Sequence, residues 1–148
     1  MILDKQIVAN VKQAVPFFHV SNMEESLRYY VDGLGFGIRW KWIDDGKLLW
    51  CWLENGGAAL MLQEFRKEGL NSWQPACKVG EGVSICFMCE EALAIYHDAT
   101  ARGIKVTRNP FFGNRLWVVS FSDPDGYRID FESPTDIPEE TEYSPQDK

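Results

Sequence analysis

Asn22-Met23-Glu24-Glu25-Ser26-Leu27 runs on to Leu34-Gly35-Phe36, and this layout decides the fold because the chain repeats it. The second copy starts at Glu90, 68 positions after residue 22, and reaches Arg102-Gly103-Ile104. In each copy a short apolar run precedes an amphipathic helix, a glycine and a β-rich stretch. Internal duplication indicates an architecture more reliably than any single residue does. The sequence therefore predicts two equivalent modules.

The first copy has the pattern of a βαβββ module. A β-prone run at 14–20 precedes a helix whose start, Asn22 with Glu25, resembles a capping box. The apolar residues Met23, Leu27, Tyr30, Val31 and Leu34 share one stripe of this helix, which Gly35 ends. Strands are predicted at 38–43, 48–53 and 58–65, separated by Asp44-Asp45-Gly46 and Asn55-Gly56-Gly57.

The second copy has the same order of elements. Strands are predicted at 83–88, 104–107, 116–121 and 127–132, around a helix at 91–102, with Asp123-Pro124-Asp125-Gly126 as a turn. The single domain then divides into an N-terminal arm (1–13), a first module (14–65), a linker rich in turn residues (66–82), a second module (83–132) and an acidic tail (133–148). The tail is expected to lie on the surface or to be disordered.

Composition excludes several classes of function. The 148 residues carry a net charge of −7, so a phosphate backbone would be repelled and nucleic acid is not expected as a partner. The same charge would attract a cationic small molecule. No apolar run approaches the ~20 residues of a membrane span. The first residues lack a hydrophobic signal core, and the chain is expected to be cytoplasmic.

The four cysteines do not form a zinc motif. Cys86 and Cys89 have the spacing of half a zinc knuckle, but Cys51 and Cys77 do not supply a second pair. They are interpreted as buried thiols that act as small hydrophobes.

The quoted motifs resemble those of the vicinal oxygen chelate superfamily, which includes glyoxalase I, bleomycin-resistance proteins, extradiol dioxygenases and fosfomycin-resistance enzymes. The matching segments are 18–22, 26–30 and 34–36 in the first copy, with 101–106 and 123–130 in the second. The resemblance implies an α+β fold in which two tandem βαβββ modules form a half-open barrel cup.

The resemblance also implies positions for a divalent metal, on the first and fourth strand of each module. These positions fall at Val15, Met61, Val83 and Asp130, so three of the four are apolar. A shift by one residue, to Pro16 and Ser84, supplies no better ligands. A catalytic metal needs about three protein ligands, and the chain has only His19 and His97 as histidines. We therefore expect neither a metal nor another cofactor.

Strand alternation places candidate site residues on the cup side of the sheets. His19 would lie there with Asp130 and Glu132, where the three could act as a metal-free acid/base group. The alternative is that His19 is structural and that Glu132 pairs with Arg128. Both alternatives remain open at this level.

Tryptophans dominate the expected ligand site. Trp40 and Trp42 share one face of a strand, and Trp50 and Trp52 share one face of the next, where indole rings can stack on planar or cationic ligands. The alternative is ordinary sheet packing. The expected ligand-binding residues are Phe17, Trp40, Trp42, Trp50, Trp52, Met61, Gln63, Trp117 and Arg128, with Phe111 and Phe112 nearby.

Within the superfamily, the chain is most similar to the metal-free bleomycin-resistance branch. Leu34-Gly35-Phe36-Gly37, Pro16 and the aromatic Trp40 carry this likeness. It implies a homodimer that binds a cationic or aromatic small molecule without chemistry, and an open cup favours a dimer because it exposes strand edges. The alternatives are a glyoxalase-like lyase or isomerase, or a dioxygenase-type enzyme, with an atypical site, and a small-molecule sensor without turnover.

Overall fold

The computed structural model describes residues 9–70, 72–106, 108–139 and 141–145. Parts of the predicted arm and tail, together with Asn71, Thr107 and Glu140, lie outside these ranges. The elements are β1 (Phe17–Val20), α1 (Met23–Leu27), a π-helical segment (Arg28–Gly33), β2 (Gly37–Asp44), β3 (Lys47–Asn55), β4 (Ala58–Glu64), β5 (Ser84–Met88), α2 (Ala92–Ala101), β6 (Phe111–Gly113), β7 (Leu116–Ser122) and β8 (Arg128–Pro134). No helix of the described residues is long and apolar enough to cross a membrane.

The strands form two sheets of identical topology. Their orders are β1-β4-β3-β2 and β5-β8-β7-β6, and in each sheet the first strand pairs in parallel with the fourth. The other pairs are antiparallel. The sheets do not close into a barrel. The predicted α+β fold of two tandem βαβββ modules, arranged as a half-open cup, is confirmed.

The repeat between the modules is 69 residues, one more than predicted. The N-caps of the two helices, Asn22 and Glu91, are 69 positions apart (22 to 91), and the partners in the parallel pairs are 44 positions apart in both sheets (17 to 61, 86 to 130). The second helix starts after Glu91 rather than Glu90 because the Ala92 amide donates a hydrogen bond to Ser133 Oγ at 2.9 Å. Two adjacent acids in the sequence could not reveal this contact with a distant strand.

The first helix begins as predicted and then changes its winding. The Asn22 side chain accepts a hydrogen bond from the Glu25 amide at 3.1 Å, as an N-cap does. Beyond Leu27 the helix widens into the π-helical segment, a geometry that the apolar spacing did not indicate. Gly33 ends this segment where a Cβ would lie only 2.9 Å from Cγ1 of Ile104, so a larger residue would collide with the second module.

The strand predicted at 104–107 is wrong for its described residues. The Ile104 amide bonds to the Ala99 carbonyl at 3.0 Å and ends α2. The third strand of the module is β6, which pairs with β7 across a turn at Asn114 and Arg115, both with positive φ. A two-residue turn of this kind suits a hairpin, and it moves the strand seven residues towards the C-terminus (104 to 111).

The described part of the tail is packed on the second module. Tyr143 contacts the rings of Tyr96 and Trp117 at centroid distances of 5.7 and 6.2 Å. Ile137 packs against the core, and the Arg115 amide donates to Glu139 at 3.2 Å. The described part of the tail therefore lies on the surface of the second module, because its apolar residues have partners there.

The modules are joined through one shared core. Phe18 stacks on Tyr127 with centroids 4.1 Å apart and planes 3° from parallel. Tyr30 Oη donates to Asp123 Oδ2 at 2.7 Å, so the first helix is tied to the turn before β8. These contacts all use the helix side of the sheets. The opposite faces of both sheets remain available for other contacts.

Candidate functional site

The residues predicted for the site lie on sheet faces that point away from the shared core. Phe18 and Val20 of β1 are buried, whereas Phe17 and His19 alternate to the other face. The strand register carries this face across the first sheet. We call it the tryptophan face; it consists of Phe17, His19, Trp40, Trp42, Trp50, Trp52, Met61 and Gln63.

Two cross-strand pairs form the centre of the tryptophan face. Trp40 lies opposite Trp52, and Trp42 lies opposite Trp50. The first pair has ring centroids 5.4 Å apart at 62°, an edge-to-face contact. Trp40 remains 53% exposed and Trp42 42% exposed, so these rings are not simply packed within the sheet. Large aromatic rings this open in a folded chain indicate a contact surface.

His19 lies within a row of aromatic rings. Its ring is 4.8 Å from Phe17 and 4.7 Å from Trp73, measured between centroids. Burial lowers the pKa of His19 below its ordinary value, which favours the neutral imidazole at pH 7. Trp73 was not among the predicted site residues because it lies in the segment interpreted as a linker.

Two arginines on this face were also missed. The Arg66 guanidinium lies 5.5 Å from the centre of the Trp42 ring, and the Arg39 guanidinium lies 5.1 Å from that of Trp40. Arg39 is the extra residue where the register of β2 and β3 shifts, and it is 3.6 Å from Glu54. A β-bulge re-aims a side chain in this way, and simple alternation could not predict it.

The second sheet presents a carboxylate face, which consists of Cys86, Met88, Arg128, Asp130 and Glu132. Asp130 is buried and accepts a hydrogen bond from Arg128 Nε at 3.2 Å. The alternative in which Glu132 pairs with Arg128 is therefore wrong, because Arg128 pairs with Asp130. Cys86 pairs with Asp130 in register and is exposed, against the expectation of buried thiols. Although the residue is exposed, partial desolvation of its thiol is the largest cause that raises the pKa of Cys86 to about 12, and the Glu132 carboxyl is the next. The thiol therefore stays protonated.

The chain does not bring all predicted residues together. His19 belongs to the first sheet, whereas Asp130 and Glu132 belong to the second, and no hydrogen bond or ion pair joins His19 to either in the described ranges. Trp117 is only 5% exposed and lies in the core beside Phe112, so the structure does not place it on either face.

The side chains at the metal positions of the resemblance do not fit a divalent ion. Val15 and Val83 precede β1 and β5, and the paired positions of the two sheets hold Phe17 with Met61 and Cys86 with Asp130. Across the part of the chain that the structure describes, no three His, Cys, Asp or Glu side chains are grouped to hold an ion. One carboxylate cannot replace the usual three ligands.

A family model matches most of the chain, and solved structures share its fold. The family model described as Glyoxalase/Bleomycin resistance protein/Dioxygenase superfamily matches residues 12–131. TnmS3, an antibiotic binding protein from Streptomyces sp. CB03234, is 21% identical, with a TM-score of 0.65 and coverage of 86% of this chain and 99% of that one. A bleomycin resistance determinant encoded on the transposon Tn5 is 19% identical, with a TM-score of 0.63 and coverage of 86% and 100%.

A glyoxalase/bleomycin resistance protein/dioxygenase from Nocardioides is 16% identical, with a TM-score of 0.66 and coverage of 94% of this chain and 93% of that one. At these identities the solved structures support the fold alone. No curated protein sequence matches the chain.

Proposed function

Because this chain belongs to the glyoxalase/bleomycin resistance protein/dioxygenase superfamily, we propose that it binds a planar aromatic small molecule on the tryptophan face, without a metal. The observation that carries this proposal is the pair of open indoles, Trp40 and Trp42, opposed by Trp52 and Trp50 on the next strand. Aromatic walls with a few polar groups are typical of small-molecule sites. Gln63 and His19 would supply those polar groups.

The names of two structural neighbours support a binding role. TnmS3 is called an antibiotic binding protein, and the Tn5 protein is called a bleomycin resistance determinant. Binding alone can protect a cell from a toxic molecule, and it requires no catalytic group. The donor set at the metal positions is consistent with that role.

We also propose that a second copy completes the site. In one chain the tryptophan face and the carboxylate face belong to separate sheets, and both leave apolar side chains in water. The exposed examples are Phe17, Trp40, Trp42, Trp73 and Met88. A two-fold dimer that sets the tryptophan face of one subunit against the carboxylate face of its partner would cover them in two equivalent cavities.

Sedimentation tests the dimer. The purified full chain is expected to sediment at about 34 kDa, twice the 17.0 kDa of one chain, at micromolar concentration. Trp42→Glu would place a carboxylate in the covered surface and is expected to shift the distribution towards the monomer. Glu24→Gln, a charge change at an exposed position of α1, serves as the control. A wild-type chain that sediments at 17.0 kDa would contradict the proposal.

Ligand binding is tested with a neutral planar probe. Titration of the full chain with 2-naphthalenemethanol is expected to quench tryptophan fluorescence and to release calorimetric heat. The double variant Trp42→Ala/Trp50→Ala is expected to bind about tenfold or more weakly, because stacking on indole is worth about 1 kcal/mol or more per ring. Ile43→Ala is the control, because it removes an exposed apolar side chain from the same strand as Trp42. Ile43 lies opposite Leu48, which packs on the core. Equal affinity of both variants would exclude the tryptophan face as the site.

A second candidate function rests on His19. Its neutral imidazole is the protonation state that a general base needs, and a dimer could bring Asp130 and Glu132 of the partner subunit near it. The candidate activity is a metal-independent isomerase or a glyoxalase-like lyase. Turnover of a 2-oxoaldehyde thiohemiacetal by wild type, lost in His19→Gln with ligand affinity retained, would favour this function over simple binding.

A further inference from the structure

In the segment after β4, Arg66 and Trp73 are paired through the backbone next to the tryptophan face. The Trp73 amide donates to the Arg66 carbonyl at 2.8 Å, and the Ser72 amide donates to the Gly69 carbonyl at 3.2 Å. Gly69 has a φ of 92°, which a residue with a side chain rarely adopts. Arg66 and Trp73 are thus held side by side by the backbone, although both belong to the predicted linker.

This loop adds one aromatic ring and one cation to the tryptophan face. Trp73 packs on His19 at 4.7 Å and on Phe65 at 5.5 Å. Arg66 is half-buried, with its guanidinium over Trp42. Arginine stacked on an indole is held by a cation–π contact while the edge of its guanidinium keeps its N–H donors free.

The charges on this face have the opposite sign to the net charge of the chain. Arg39 is paired with Glu54 at 3.6 Å, and that carboxylate also accepts a hydrogen bond from Trp52 Nε1 at 3.0 Å. Arg66 forms no ion pair with any carboxylate in the described part of the chain. Gln63 is uncharged, and the neutral form of His19 adds no charge at pH 7. One unpaired positive charge therefore remains beside the Trp42 ring.

Acidic residues also lie near Arg66. Arg66 itself helps to line a shallow surface depression whose other charged residues are Asp44, Asp45, Glu64 and Glu68 together with Lys47 and Lys67. Glu64 is already engaged, since it pairs with Lys47 and accepts the Met23 amide at 2.9 Å. These charges reduce the positive potential at Arg66, but they do not occupy its hydrogen-bond donors.

We infer that the ligand of the tryptophan face is a planar aromatic carboxylate, whose ring stacks on the tryptophans and whose anionic group is bound by Arg66. This inference rests on the proposed function, since it specifies the ligand class of the same site. The guanidinium fork matches a carboxylate in shape and can donate two parallel hydrogen bonds. The net charge of −7, the acids beside Arg66 and the carboxylate face that the proposed dimer sets opposite all favour a cationic ligand instead. In this inference, direct hydrogen bonds from Arg66 to the ligand outweigh these charges, which act without contact and are screened by salt over about 10 Å.

A matched set of three probes tests the inference on the full chain. The probes share the naphthalene ring and differ in the group at position 2: 2-naphthoate carries an anionic carboxylate, 2-naphthalenemethanol a neutral hydroxymethyl group, and 2-naphthylmethylammonium a cationic aminomethyl group. Calorimetric titration is expected to show that naphthoate binds about tenfold more tightly than the alcohol, the size of one charge-assisted hydrogen bond. The ammonium probe is expected to bind more weakly than the alcohol.

Variants at Arg66 identify the responsible group. Arg66→Gln is expected to weaken naphthoate binding about tenfold and to leave affinity for the alcohol unchanged, which also shows that the variant is folded. Arg66→Lys is expected to retain part of the preference, because it keeps the charge but loses the fork. Arg28→Gln removes an exposed arginine of the first helical region and serves as the control for net charge.

The outcomes separate the two proposals. If none of the three probes binds, the proposed function itself fails, and the inference falls with it. If the alcohol and naphthoate bind equally, or if the ammonium probe binds most tightly, the function stands and the anionic ligand class is wrong. A tenfold loss in Arg28→Gln equal to that in Arg66→Gln would also overturn the assignment to Arg66.

Discussion

Phe18→Ala is expected to lower the free energy of unfolding by about 3–5 kcal/mol, the cost of emptying a buried aromatic site. Phe18 is only 6% exposed, and its ring stacks on Tyr127 of the second module. The substitution therefore leaves a cavity at the place where the modules meet. Urea denaturation gives the change, provided that the slope of unfolding free energy with urea matches that of wild type.

Phe17→Ala is the matched control for this prediction. Phe17 is the preceding residue of the same strand, but it is 43% exposed on the tryptophan face. The substitution is expected to lower the free energy of unfolding of the monomer by less than about 1 kcal/mol. A dimer that covers Phe17 would add a cost that depends on protein concentration, so both variants should be measured over a range of concentrations. Equal, concentration-independent losses would show that the faces of β1 are assigned wrongly.

Tyr30→Phe is expected to lower the free energy of unfolding by about 2 kcal/mol. Its hydroxyl donates at 2.7 Å to Oδ2 of Asp123, a residue that is only 5% exposed. The substitution leaves this buried oxygen without its partner, although Oδ1 still accepts the amides of Asp125 and Tyr127. The neighbouring Tyr29 is the control, because its buried hydroxyl has no hydrogen-bond partner among the residues that the structure describes. Tyr29→Phe is expected to change stability by less than about 0.5 kcal/mol or to raise it. A larger loss in Tyr29→Phe than in Tyr30→Phe would contradict the role of the Tyr30 bond.

The deficit of Tyr30→Phe is expected to depend on pH. Burial raises the pKa of Asp123 above its ordinary value, while hydrogen bonds from Tyr30 and from the Tyr127 amide lower it. A raised pKa in the folded state means that this group favours folding below its unfolded pKa and loses that contribution as the pH rises through the folded pKa. The ionised carboxylate is thus a cost at pH 7, which Tyr30 offsets. The deficit should therefore be largest near neutral pH and shrink as the pH falls towards about 4, measured by urea denaturation at each pH.

The arrangement of the strand tryptophans, which the sequence predicted, depends on short-range regularity. Trp40, Trp42, Trp50 and Trp52 share a face because alternation is regular between the two register shifts, which fall outside these pairs. The two hairpin turns of the first module and the Asn22 cap were likewise predicted from residues a few positions apart. Such features follow from backbone geometry, which local residues determine.

The parts that the sequence could not reveal depend on contacts between distant residues. Arg66 and Trp73 lie in a stretch rich in turn residues, and only their packing on the first sheet brings them next to the tryptophan face. Trp117 has the same residue type as Trp42, but its face of the strand is covered by α2 and by the tail. Net charge is a limited guide to the ligand for a similar reason, because a total does not say which charges are already paired.

The parallel pairing of the first and fourth strands limits when each sheet can form during synthesis of the chain. Phe17 pairs with Met61, and Cys86 pairs with Asp130. In each sheet the first strand therefore has no parallel partner until 44 further residues have been synthesised (17 to 61, 86 to 130). A parallel pair of this kind closes slowly because a long loop must be ordered first. Each nascent module thus carries an open β-edge until its last strand leaves the ribosome. The first module can complete its sheet before the strands of the second module have emerged.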